Sequence, residues 1–192
     1  MRNRKRTLTW LLTGLLASAL TGTAQKTAVR PVTDPRAPQD FALRTVDGVG
    51  LNYSSAAPSG NWLLVLVHAS NRPTDRLLAS LDRNQVPQLN GRVVVVGVGM
   101  SEQKLKALKA AHPEMVDAAW YLDENSNILE QMHMRVVPAI AGMRDQGAEW
   151  RLTGAVLSDE RVRGMGADWM QKESEMDEAR APRELKAKPV KE

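Results

Sequence analysis

The residues of this chain that could do chemistry are few, and the type that is missing narrows the choice most. Its 192 residues include no cysteine and three histidines, His68, His112 and His133. Disulfide exchange and thiol-based peroxide reduction need a thiolate nucleophile, so the chain cannot perform either with its own side chains. The densest polar cluster, Ser70-Asn71-Arg72-Pro73-Thr74-Asp75-Arg76, follows His68 directly. The Arg72 guanidinium has no lone pair with which to attack. Arg72 and Asp75, at i and i+3, suit an ion pair across one helical turn, contributing less than about 1 kcal/mol if exposed. Alternatively, Arg72 presents a cation to an acidic partner. No Gly-x-Ser-x-Gly or His-Glu-x-x-His spacing accompanies the histidines, and Gly97 and Gly99 lack the spacing of a phosphate loop. Met132-His133-Met134 offers thioether and imidazole, which suit Cu(I), and His68 could join them. Met is equally a filler of irregular core gaps, and the tripeptide is read as core. No catalytic residue, cofactor or metal is assigned.

The elements that must position these residues follow from periodicity. Phe41–Val46 and Gly50–Tyr53 flank Asp47-Gly48, a hairpin signal, and Ala56–Gly60 reads as a loop. Trp62–His68 and Arg92–Val98 are unbroken apolar runs, as in central strands covered on both faces. Thr74–Val86 predicts a helix with Leu77, Leu78 and Leu81 on one stripe. Pro73 suits its first turn, and Asp75 the positive end of its dipole. Ser101 caps a helix carrying Leu105 and Leu108, which Pro113 ends. His112, just before that proline, sits where a cation is favourable. A short strand over 118–122, a helical turn over 127–132, a strand beginning at 136–140, a hairpin turn at 145–147, a return strand over 149–153 and a last helix from Asp159 to about Gln171 complete the order. Alternating strands and helices point to an α/β chain with a central mixed sheet. Trp62, Trp120, Tyr121 and Trp150 read as core or sheet-face aromatics.

The termini read differently. Arg2, Arg4, Lys5 and Arg6 precede an apolar stretch of about 14 residues, 7–20, followed by Gly22-Thr23-Ala24. That is the pattern of a secretory signal peptide over 1–24, too short for the roughly 20 residues that span a bilayer. Membrane contact is expected only if that segment stays uncleaved. It holds four of the 26 Lys and Arg and none of the 22 acids, so the remainder is balanced in charge. The alkaline composition then gives no support for nucleic-acid binding. Residues 25–38, with Pro31, Pro35 and Pro38, read as a linker, and 39–171 as one domain. Residues 172–192, charge-dominated and interrupted by Pro182 and Pro189, read as a disordered tail.

Four segments in order resemble the thioredoxin-like superfamily, in particular extracytoplasmic TlpA-type redoxins. They are QDFALRTVDGVGLNYSS at 39–55, VLVHASNRPTDRLL at 65–78, LDENSNILEQMHMRVVPAI at 122–140 and DQGAEWRLTGAV at 145–156. The resemblance implies a thioredoxin-like fold with an added N-terminal β-hairpin. It aligns Arg72 and Asp75 with the two cysteines of the family's dithiol, with Pro73 and Thr74 between them. It also implies that Pro138 is the family's cis-proline and that Val137 offers backbone groups to an extended peptide. The expectation is an exported, periplasmic or secreted, cysteine-less binding or adaptor module. Its partner would be an envelope protein or extended peptide, met at His68, Arg72, Pro73, Thr74, Asp75, Val137 and Pro138. The alternatives are a redox protein that borrows a thiol from a partner chain, and a Cu(I) carrier.

Overall fold

Two strands with no exposed residue organise the molecule. In the computed structural model, β4 (Asn61–Val67) and β5 (Val93–Val98) are buried along their whole lengths and pair in parallel, Val65 opposite Val95. Such continuous aliphatic runs suit strands covered on both faces. The structure describes residues 30–31, 38–68, 70–82, 84–153 and 159–180; the expected signal segment, 1–24, lies outside them.

The other strands are β1 (Arg30–Pro31), β2 (Ala42–Thr45), β3 (Gly50–Asn52), β6 (Ala119–Asp123), β7 (Ala139–Arg144) and β8 (Gly147–Thr153). They form one mixed sheet in the order β1-β8-β7-β4-β5-β6-β2-β3. β6 runs parallel to β5, and β7 runs antiparallel to β4. The helices are α1 (Tyr53–Ala56), α2 (Arg72–Ser80), α3 (Glu102–Ala111), α4 (Asn127–Gln131) and α5 (Asp159–Arg180).

The side-chain alternation of β4 divides the core into two layers. Leu63, Val65 and Val67 pack with Leu77, Leu78 and Leu81 from α2 and its end, Leu105 and Leu108 from α3, and Val162, Trp169 and Met170 from α5. Trp62, Leu64 and Leu66 face Tyr53, Ile128, Met132 and Met134 on the other side. Tyr53 stacks on Phe41 at 5.2 Å, and burial pushes its phenol well above the ordinary range. At the foot of β4, Asn61 Nδ2 donates to Trp169 O (2.8 Å), and Trp169 Nε1 donates to Trp62 O (3.2 Å), which ties α5 to the sheet.

The expected thioredoxin-like, mixed-sheet architecture is present, hairpin included. β2 and β3 pair around Gly48 (φ 81°), and β2 adds to β6 at the sheet edge. Four local expectations are corrected. The first helix ends at Ser80, short of Val86. The Asp82 carboxylate accepts Asn84 N (2.9 Å), a local turn that competes with helix, and Pro87 keeps Val86 out of helical conformation (φ −135°). Within the expected linker, Arg30–Pro31 pairs with Arg151–Trp150 at the edge of β8. Residues 53–56 form a helical turn just before the expected loop. Finally, α5 continues past Gln171 to Arg180, so the first part of the expected disordered tail is helical. No Gly or Pro occurs between Lys172 and Pro182, and helix propagates through such sequence.

Gly142 in β7 sits under the Trp150 ring, where a Cβ would come within 2.1 Å of Nε1. The pair flanks a bulge in which Glu149 is the extra residue between Trp150 and Ala148. Gly142→Ala is expected to lose about 1–3 kcal/mol to overpacking, measured by urea unfolding. Gly97→Ala is expected to lose less, because its nearest contacts are the flexible ends of Met100 and Leu105.

Candidate functional site

The site lies where the parallel strands deliver their carboxyl ends, the usual position for ligands on open α/β sheets. β4 ends at Val67, and His68 follows, exposed. Its Nδ1 lies 2.7 Å from Val98 O, at the end of β5. A proton on Nδ1 would bond that carbonyl and leave Nε2 facing outward. The ring borders Gly99 (φ 57°), where a Cβ would meet Ser126 Oγ at 3.0 Å and the His68 ring at 3.9 Å. Glycine is required there on both counts, positive φ and close approach.

The loop then turns into α2. Asn71, extended at φ −152°, is the N-cap, and its Oδ1 accepts Thr74 N at 3.0 Å. Arg72 and Pro73 open the helix, where proline's missing N–H has no partner to lose. Asp75 N donates to Asn71 O (2.9 Å). The Asp75 carboxylate does not pair with Arg72 as the i, i+3 spacing suggests. Its Oδ1 takes Ser70 Oγ at 3.3 Å and lies 3.3 Å from His112 Nε2. His112, with 8% of its side chain exposed, also meets Glu114 through Nδ1 at 2.7 Å. The ring therefore ties the start of α2 to the turn that ends α3. Thr74 Oγ1 is buried without a hydrogen-bond partner among the described residues, while Arg72 is exposed.

The facing wall precedes β7. Ala139 pairs with Leu66 in antiparallel register, which brings Pro138 alongside Val67 and Val137 alongside His68. The Val137–Pro138 bond is cis; Pro138 is buried, Val137 half-buried and Val136 51% exposed. Among the described residues, no backbone hydrogen bond engages Arg135, Val136 or Val137. Sequence reasoning placed Val137 and Pro138 here through the resemblance, and it missed Arg135, Val136 and the His112 tie. Asp75 and His112 are 37 positions apart, so no local pattern connects them.

Met132-His133-Met134 divides between core and surface. Both methionines are buried in the second layer, while His133 is exposed at φ 50°. Among the described residues, no group of three or more His, Cys, Asp or Glu is placed to hold a metal, and no helix is long and apolar enough to cross a membrane.

No family model matches the chain, and no curated protein sequence does. Solved structures do. One is a secreted disulfide oxidoreductase of Mycobacterium tuberculosis homologous to DsbE of E. coli. It matches with a TM-score of 0.55 and 14% identity over 67% of this chain and 95% of that one. A secreted thiol-disulfide isomerase from Corynebacterium glutamicum matches with a TM-score of 0.58 and 12% identity, over 78% and 95%. Peroxidoxin BcpB from Mycobacterium tuberculosis matches with a TM-score of 0.55 and 13% identity, over 72% and 96%. The chain has the thioredoxin-like fold, and its structural neighbours are redoxins and TlpA-type proteins. Unlike a dithiol protein, the chain contains no cysteine.

The tie at His112 yields a stability test. His112→Ala is expected to cost about 1–3 kcal/mol, because a buried polar ring and its two contacts are lost. Asp75→Asn, at a side chain 46% exposed, is expected to cost less than about 1 kcal/mol. Urea unfolding of the two variants checks the order, and equal small losses would remove the structural role assigned to His112.

Proposed function

We propose that this chain is an exported, redox-inactive thioredoxin-like protein. It binds an extended peptide, or the edge of a cell-envelope partner, in the groove between Arg72–Asp75 and Val137–Pro138. The observation that carries the reading is the unengaged backbone of Arg135, Val136 and Val137 beside a buried cis-proline. An extended segment laid along these residues would pair with their N–H and C=O groups, and main-chain bonding of that kind gives affinity with little demand on sequence. Export is supported by the pattern of residues 1–24 and by two structural neighbours that are secreted proteins. The neighbours' disulfide chemistry does not carry over, because Arg72 and Asp75 supply no sulfur. A second reading, in which a partner chain brings a thiol to the groove, is supported by the disulfide chemistry named for two of the structural neighbours.

Insulin reduction separates the two. With dithiothreitol present, the protein is expected to add no rate over dithiothreitol alone, whereas a clear gain would sink the redox-inactive reading. The double variant Arg72→Cys/Asp75→Cys places two thiols at i and i+3 at the start of α2. It is expected to gain dithiothreitol-dependent insulin reduction, and a folded variant without it would show that the loop is no longer a redoxin loop in anything but position. The groove itself is tested by Val137→Asp, expected to weaken extended-peptide binding several-fold in fluorescence polarisation.

A further inference from the structure

Positive charge predominates at the rim of the groove. Arg72 and Arg76 lie one turn apart on α2, and both are exposed; Arg135, on the facing loop two residues before Val137, is exposed as well, as are His68 and His133. Among the described residues, the guanidinium groups of Arg72, Arg76 and Arg135 have no hydrogen-bond or ion-pair partner. The one carboxylate inside the loop, Asp75, is occupied by Ser70 and His112. Of the neighbouring acids, Glu124 pairs with Arg44 at 3.6 Å. Glu130, on α4, is exposed and the nearest acid in sequence to Arg135. Asp159 and Glu160 open α5, whose Arg163 reaches Gln85, beyond the C-terminal end of α2 and away from the groove. Exposed, unpaired guanidinium groups at the start of α2 and at Arg135 thus accompany a stretch of backbone, 135–137, that makes no hydrogen bond among the described residues.

Resting on the peptide-groove reading above, we infer that the occupant of this groove is an extended acidic segment. Its main chain pairs with Arg135–Val137, and its carboxylates meet the exposed guanidinium groups of Arg72 and Arg135. Arginine suits the task because its planar fork can hold a carboxylate through two bonds.

The test uses the full chain and three labelled peptides that alternate Thr with Glu, Gln or Lys, read by fluorescence polarisation. The Glu peptide is expected to bind about fivefold or more tighter than the Gln peptide at low salt. That preference is expected to collapse as salt rises from about 0.01 M to about 1 M, which cuts the Debye length from about 30 Å to about 3 Å. Arg72→Gln and Arg135→Gln should each weaken the Glu peptide by about two- to fivefold, the range an exposed ion pair supplies, and leave the Gln peptide unchanged. Arg161→Gln, on the exposed side of α5, should change neither. Equal binding of the Glu and Gln peptides would overturn the acidic preference and leave the groove standing. Binding of none of the three would overturn the groove as well. Binding of vesicles containing anionic lipid, abolished by Arg72→Gln/Arg135→Gln with no peptide bound, would assign the cationic rim to a membrane surface and overturn the peptide proposal.

Discussion

The register of β4 between its two neighbours is the constraint on which the rest of the molecule depends. Every residue from Asn61 to Val67 is buried, so a slip of one position would exchange the two core layers wholesale. That fixed strand sets both walls of the groove at once. Val67 pairs with Gly97, which brings His68 to Val98 O. Leu66 pairs with Ala139, which sets the cis-proline beside the start of the loop. The groove is therefore a consequence of the central pairing and needs none of the dithiol chemistry usually found at its edge.

What occupies the dithiol position is a helix start tied into its surroundings. Asn71 caps it, Pro73 pre-sets its first turn, and Asp75 reaches inward to Ser70 and to the buried ring of His112. In a dithiol redoxin, the second of these positions holds a sulfur that must be free to form a bond with the first. Here its counterpart carries a carboxylate held by neighbours on another element. The loop holds no reactive sulfur, and the Asp75–His112 contact tethers the start of α2 to the end of α3.

Much of this was legible in the residues. The aliphatic runs at 62–68 and 92–98 have one reading as strands because nothing polar interrupts them. The Asp47-Gly48 turn gave the hairpin, and Ser101 with Pro113 gave both ends of α3. The misses have local physical causes. The end of α2 was set by a side-chain turn at Asp82, which competes with the helical stripe of leucines and leaves no mark on hydrophobic periodicity. The extension of α5 lies in charged sequence, where the same residues suit a helix or a solvated tail and context decides. At the site, Pro138 could be placed only through resemblance, since a cis bond has no signature in a single sequence. The His112–Asp75 contact depends on how α3 returns to the sheet. Val136 reads from its apolar neighbours as the start of a strand and Arg135 carries no pattern of its own, whereas β7 begins only at Ala139, because Pro138 has no N–H to give the ladder, and both residues fall in the preceding loop.

Loss of the thiols and retention of the groove are separable because they use different parts of the chain. Thiol chemistry would need side chains at the positions that Arg72 and Asp75 hold here, whereas the proposed peptide contact along 135–137 needs only the backbone. Substitution at the first pair leaves the second untouched. In the proposed complex, Arg72 and Arg135, both exposed, would leave selection to electrostatics, which sets encounter rate and specificity more than raw affinity. A partner held this way is held reversibly and in a salt-dependent manner, with no bond formed to mark the event. On the proposed reading, the cysteine-less loop recognises its partner by charge and main-chain pairing, with no covalent capture, on a scaffold that has the thioredoxin-like fold.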